Sequence, residues 1–592
     1  MPQRLARKLL SASHYCCDLI TSQPHSLGSR KTITYWKMDK SATNPDQRPG
    51  TDTSIATWIT PTAEVKAETI ACSAIENICS QVWPTPTFFF PSAHNEDPSK
   101  QYSYLARGLS RLLDRLPFLT GALTTDERGA WSLEIPSSPQ AGVRFHYSDL
   151  SGDPWFPTFS ELRRAGFPFA DGNLDGLAKL RPEPFPMAED GCPAFFSQLT
   201  HLRGGFVLTV SFSHLIGDLV LLHEICGSWA NEAHEAGMAA TEGRMERPLP
   251  SPVEKALTDR TRLSPPCSGT DSWDRLAQLS KAIPAWTLVD PNNATTIDDL
   301  KSVVPPAYIT PSLSRSEKHL RTTISGVWHF PATSLKAIHS AAQNASPPGT
   351  RISTMDAFIA YIWQRFFLAK YHPASSPGGA GERDGSHVPS TSQIVFALDV
   401  RRFLNPPMPK GYLPACVDLG HSSAPMRASS PPEKEKEKRN ENENEKAADA
   451  TTLSTLATSI RASITSWSES KYQTLLSLSR RAPVSPGFAP RGPIDLLVTD
   501  HSRVASLRQA DWGPGLGVAA AYREPYVGRT PPSGEVTVLP RCAGGSMEVM
   551  ISGERVVLER LRGDAGFGAR GGEVFVLGDG AGAGREGPRA RL

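Results

Sequence analysis

The chain has 592 residues, too many for one ordinary hydrophobic core, so two domains with insertions are the natural division. Its formal net charge of +2 is close to neutral, and no block of Lys and Arg interleaved with aromatic residues occurs, which argues against a nucleic-acid partner. Hydrophobic residues make up 39% of the chain, and its 52 prolines and 46 glycines point to a real core interrupted by long irregular segments.

The N-terminal "MPQRLARKLLSASHYCC" carries Arg4, Arg7 and Lys8 with no acid before Asp18. It has a trace of mitochondrial presequence character but lacks the apolar stretch of a secretory signal, and a disordered basic tail or misassigned start is the plainer reading. Residues 1–80 show little sustained periodicity and are expected to form a poorly ordered extension. Helical patterning becomes clear in "YLARGLSRLLDRLPFLTGAL", where Leu105, Leu109, Leu112, Leu113 and Leu116 recur at three and four residues until Pro117 breaks the run. "GAWSLEIP" and "VRFHYSDL" read as short strands. The strand "FVLTVSF" sets Phe206, Leu208, Val210 and Phe212 on one face and Val207, Thr209 and Ser211 on the other, and it ends at His214. A helix opening at Asp218 is expected to bury Leu219, Leu222, Ile225 and Trp229.

Pro, Ser and Thr then dominate residues 246–320, a long crossover between halves. The second half restarts with the strand "SGVWHFP" and the helical "SLKAIHSAA". In "ISTMDAFIAYIWQRFFLAKY", Ser353-x-x-Asp356 suits a capping box before an apolar helix. Inserts near 373–392 and 424–450 are flexible by composition, the second ("PPEKEKEKRNENENEKAADA") being too charged to bury much surface. The tail from 566, ending "GDGAGAGREGPRARL", is expected to be disordered, and its glycines lack the strand–helix context of a phosphate loop. Strands alternating with helices between 81–245 and 321–565 therefore predict an α/β protein of two similarly built domains.

The nine cysteines include no CxxC pair and no Cys/His array with metal-ligand spacing, so no metal site is expected. Their odd number fits reduced thiols in the cytoplasm. No run of about 18 apolar residues predicts a membrane span. G-x-S-x-G is absent, and no Cys has a nearby His at a recognised spacing. His214 remains as the candidate base: its unperturbed pKa of about 6.5 suits removal of a proton from an alcohol or amine. Spacing alone carries little, because about one His-x-x-x-Asp match is expected by chance. Asp218 read by itself is a helix N-terminal residue.

Taken together, these segments resemble the BAHD acyltransferases, in particular the branch related to fungal trichothecene acetyltransferases. "HLIGD" resembles the HxxxD motif, "LSRLLDRLPFLTGAL" the first helix and "ISTMDAFIAYIWQRF" the helix opening the second half. "ALDVRRFLNPPMPKGY" resembles the D-x-R segment, "ADWGPGLG" the DFGWG motif and "GGSMEVMISGERVVLERL" the last strand and helix. The likeness runs over residues 85–565 outside the inserts. It implies two chloramphenicol-acetyltransferase-like domains with a channel between them, acyl-CoA as co-substrate with no permanently bound cofactor, and a small-molecule alcohol or amine as acceptor. His214 would then be the general base in an acyl transfer, acetyl transfer first of all. Asp218 would point away from the channel and pair with Arg401 or Arg402, and Asp511, Gly513 and Gly515 would be architectural. A monomer is the default.

Three departures stand out. Leu219 replaces the glycine that often follows the HxxxD aspartate, Trp512 and Pro514 alter the second motif, and "YLPA" lacks the asparagine of Y-x-G-N. The rival readings are a non-catalytic binder that kept the fold, and a peptide-synthetase condensation domain, whose H-H-x-x-x-D-G motif has its first histidine replaced by Ser213 here.

Overall fold

A computed structural model describes residues 53–78, 83–92, 97–127, 129–154, 156–168, 192–266, 269–283, 285–288, 323–371, 389–426, 441–482, 488–490, 494–525 and 533–576. The basic stretch at 1–17, the greater part of the insert at 373–392, the charged stretch 427–440 and the tail beyond 576 lie outside the described residues.

In the first half the elements are β1 (Thr53–Ile59), β2 (Glu68–Ala71), α1 (Ala74–Ile78), β3 (Thr87–Pro91), α2 (Pro98–Arg115), β4 (Ala122–Thr125), β5 (Trp131–Ile135), β6 (Val143–Asp149), β7 (Cys192–Pro193), β8 (Phe195–Leu202), β9 (Gly205–Phe212) and α3 (Leu219–Glu242). Helix α2 starts where Asp97 caps it, its carboxylate accepting from Ser99 N at 3.0 Å, with Pro98 in the first turn where no N–H is needed. Its leucines are buried against α3, and the Trp229 indole of α3 donates to Leu105 O at 2.9 Å. All eight residues of β9 are buried, so both of its faces are covered. Of the four residues expected inside α3, Leu222, Ile225 and Trp229 are buried but Leu219 is only half-buried.

The second half contributes β10 (Trp286–Leu288), β11 (Thr323–Phe330), α4 (Ala332–Asn344), α5 (Thr354–Tyr371), β12 (Thr391–Asp399), β13 (Val417–Pro425), α6 (Glu441–Thr465), α7 (Glu469–Arg481), β14 (Phe488–Pro490), β15 (Leu496–Asp500), β16 (Ala521–Arg523), β17 (Glu535–Val538), β18 (Met547–Glu554), α8 (Arg555–Gly563) and β19 (Gly572–Val576). The capping box of α5 is present, with Ser353 N donating to Asp356 at 2.7 Å and Asp356 N to Ser353 Oγ at 3.1 Å.

Two large sheets result: a six-stranded one ordered β1-β6-β8-β9-β3-β16 and a seven-stranded one ordered β13-β12-β15-β17-β18-β11-β19. Strands β12, β15 and β17 run parallel, so their carboxyl ends share one edge of the second sheet. Strand β16 leaves its own half and pairs antiparallel with β3, placing Ala521 opposite Phe89. The halves are therefore interleaved.

Four expectations need correction. Residues 53–78 are not an extension, since β1 pairs with β6 and β2 with β5. The crossover carries buried Leu263, Leu276 and Trp286, and β10 pairs with β14. Residues 441–450 are helical, because their Glu, Lys and Ala favour helix even where little surface can be buried. Residues 572–576 of the predicted tail form β19 on β11. Among the described residues no helix is long and apolar enough to cross a membrane, and no group of three or more His, Cys, Asp or Glu could hold a metal ion.

Candidate active site

Strand β9 delivers the chain to Ser213, whose Oγ accepts from Leu215 N at 3.3 Å and starts a single 3-10 turn, His214–Ile216. Any Cβ on Gly217 would lie 2.9 Å from Leu413 O, so second-half backbone presses directly on this turn. Asp218 caps α3, its Oδ1 accepting from Val220 N at 3.0 Å. The same oxygen accepts from Arg401 Nη2 at 2.8 Å, and Oδ2 accepts from Cys416 N at 3.0 Å. Its carboxylate is thus both helix cap and ion-pair partner.

Arg401 spends its remaining donors on Tyr412 O at 2.9 Å, Pro414 O at 2.7 Å and Asp399 Oδ1 at 3.0 Å. Burial opposes the guanidinium charge, but Asp218 and Asp399 outweigh it and hold the pKa above its ordinary value. The neighbouring Arg402 is not an alternative: it is exposed, with its guanidinium 4.8 Å from the centre of the Phe403 ring. Arg401 has the side of the strand end that faces the first half.

A second clamp holds the turn from the other side. Arg260 donates from Nη2 to Ile216 O at 3.2 Å and from Nε to the fully buried Glu76 at 2.8 Å. Glu76 also accepts from Ser73 N at 2.7 Å and reaches Ala415 N at 3.4 Å. Sequence reasoning passed over both residues, since they fall in segments read as extension and crossover. Ser73-x-x-Glu76 did carry a signal, for it is a capping-box spacing, and Glu76 N does donate to Ser73 Oγ at 3.3 Å.

Between the two clamps sits His214, half-buried. Its Nδ1 is enclosed and has no hydrogen-bond partner among the described residues. In a neutral imidazole one ring nitrogen donates and the other accepts. Burial depresses the pKa, Asp218 and Glu76 pull it back up in part, and His501 depresses it further.

Across the halves, the second motif is a plug. Trp512 is buried among Phe88, Phe90 and Trp229, with ring centres 5.5, 6.1 and 5.7 Å away. Asp511 Oδ1 accepts from Gly513 N at 3.0 Å, closing the turn that aims the indole. Gly513 has φ of 93° and would bring a Cβ within 2.7 Å of the His234 Cα; Gly515 likewise has φ of 83°. The loop seats on α2 and α3, and Asp511, Gly513 and Gly515 lie together in it, apart from the His214 turn.

Comparisons with known proteins show the family and the fold. The model of the Transferase family matches residues 52–417. The chain is 25% identical over 515 residues to acyltransferase clz6 of Cochliobolus lunatus, covering 86% of this chain and 96% of that one. It is 26% identical over 514 residues to acyltransferase easC of Emericella nidulans, with 84% and 94% covered. Among solved structures, F. graminearum TRI101 complexed with coenzyme A and T-2 mycotoxin superposes with a TM-score of 0.60 at 16% identity, over 86% of this chain and 100% of that one. Vinorine synthase gives 0.52 at 15% identity, over 86% and 96%. With a fold of the chloramphenicol-acetyltransferase-like kind and a family match over most of its length, the chain belongs to the Transferase family, in its BAHD-type branch.

Proposed function

We propose that the chain is an acyl-CoA-dependent acyltransferase, moving an acyl group, acetyl first of all, to a hydroxyl or amine of a small secondary-metabolite acceptor with His214 as general base. The observation that carries this reading is the placement of His214: on a turn fixed by two buried ion pairs, with Nδ1 enclosed and its pKa depressed by burial. Nε2 takes the acceptor's proton while the acceptor oxygen or nitrogen bonds to the thioester carbonyl carbon, and the carbonyl electron pair moves onto oxygen. When that pair returns, the C–S bond breaks. CoA thiolate leaves, with a reference thiol pKa of about 8.5, and the imidazolium returns the proton to it. Such a base contributes about 10² to 10⁴ in rate, and positioning with oxyanion stabilisation supplies the rest. Relatives named as acyltransferases and the CoA complexes of TRI101 support the choice of donor.

The test is release of free thiol from acetyl-CoA mixed with a panel of alcohols and amines. His214→Ala should cut turnover by about 10² to 10⁴. A variant within about fivefold of wild type would refute the assignment of the base. CoA binding without turnover for any acceptor would favour the non-catalytic reading.

A further inference from the structure

Strand ends at the parallel edge of the second sheet supply more than Arg401. In the β12–β15 register Phe396 lies opposite Val498, so the residue after β15, His501, comes level with Asp399, the carboxylate that holds Arg401. His501 is fixed there by its backbone N–H, which donates to Val538 O at 2.8 Å, and by Glu524, whose Oε1 lies 2.7 Å from Nδ1. Glu524 follows β16, the strand handed over to the first sheet, and it also accepts from the buried Tyr522 hydroxyl. The array Tyr522–Glu524–His501 thus ties the exchanged strand to the edge that faces the His214 turn. Among the described residues no group hydrogen-bonds His501 Nε2, although the ring is largely buried.

We propose that His501 is a second catalytic imidazole in the same site, donating from Nε2–H to the thioester carbonyl oxygen as it becomes an oxyanion, with Glu524 as its positioning residue. This rests on the reading of His214 as base. The two rings face the reacting carbonyl with opposite duties. His214 accepts a proton from the acceptor and later passes it to the thiolate. His501 keeps its proton throughout, so the balance of the transfer is unchanged.

The charges around the two rings suit this division. Burial works against an imidazolium at His501, but Glu524 first and Asp500 after it outweigh burial and raise its pKa above the ordinary value. The other groups close to the array are His214 on its turn, Tyr522 on the exchanged strand, Cys226 on α3 and Arg508 beside Glu524. Glu524 itself is pushed up by burial but held below the usual carboxylate range by His501 and Tyr522. The working form has His214 neutral and His501 charged, which gives kcat/KM an acid limb from the first ring and an alkaline limb from the second.

The experiment uses the full chain with acetyl-CoA and an accepted alcohol. His501→Leu should lower kcat by about 10² to 10³, the usual loss for one oxyanion donor, with the KM for acetyl-CoA changed by less than about threefold. His501→Gln, which keeps an N–H near the same point, should recover part of kcat and lose the alkaline limb while keeping the acid limb. Glu524→Gln should move the alkaline limb to lower pH, because the carboxylate that raises the His501 pKa is gone. If His501→Leu keeps kcat within about twofold, or the alkaline limb persists in His501→Gln, the proposal is overturned and His501 only pins the strand. Should His501→Leu fail to fold, the limbs of the Gln variants decide. Turnover surviving in His214→Ala would instead sink the base, whatever His501 does.

Discussion

Replacing Arg401 with Met tests whether the His214 turn is held by a buried ion pair. The side chains of both partners are at least 90% buried, and Asp218 accepts from Arg401 at 2.8 Å. Removing one member of such a pair leaves an uncompensated buried charge, about 3–5 kcal/mol. Asp218 would keep two backbone donors, Val220 N and Cys416 N, so the lower end, about 3 kcal/mol, is expected. That is a shift of roughly 10² in the unfolding equilibrium. Guanidinium denaturation followed by tryptophan fluorescence measures it, beside Asp218→Asn and the double variant. Asn keeps an oxygen for the helix cap, and the double variant has no lone charge, so it should be more stable than the sum of the single changes implies by about 0.5–3 kcal/mol. Arg402→Met, at an exposed site over Phe403, should stay within about 0.5 kcal/mol of wild type. Strict additivity in the double variant, or equal losses for Arg401→Met and Arg402→Met, would refute the ion-pair account.

Two further outcomes follow from the same geometry. The His214 pKa is held below its ordinary value, so the base stays neutral somewhat below pH 6.5 and activity is lost only as pH falls through that lowered value; because Asp218 raises the pKa, Asp218→Asn should carry the acid limb of kcat/KM to still lower pH, and an upward or absent shift contradicts it. Gly513→Ala combines a φ of 93° with a Cβ 2.7 Å from helix backbone and should cost at least about 1–3 kcal/mol, seen as a lower melting temperature; an unchanged melting temperature would mean that the loop seats differently.

What the chain declares about itself is local. The α2 leucines, the capping box of α5 and the strand–turn–helix around His214 follow from periodicity and caps, which act over a few residues. Choosing between Arg401 and Arg402 depends on which side of a strand end faces the other half, and adjacent arginines carry no mark of that. Glu76, Arg260, His501 and Glu524 are drawn from four distant segments and meet only through tertiary packing. Strand β1 was invisible because Ile55 and Trp58 point outward, 58% and 51% exposed, so its apolar residues do not trace a buried face. Three-residue β16 is too short for any pattern, although it completes a sheet. In the 441–450 region charge was weighed against burial, and helix propensity prevailed.

The handover of β16 has a consequence for how the protein is made. On the ribosome, β3 emerges roughly 430 residues before its neighbour, and at ~5–20 residues per second that is a wait on the order of a minute. Until then the nascent first half carries an open sheet edge and an empty socket where an indole belongs, both invitations to wrong partners. The first sheet therefore gains its last strand only near the end of synthesis.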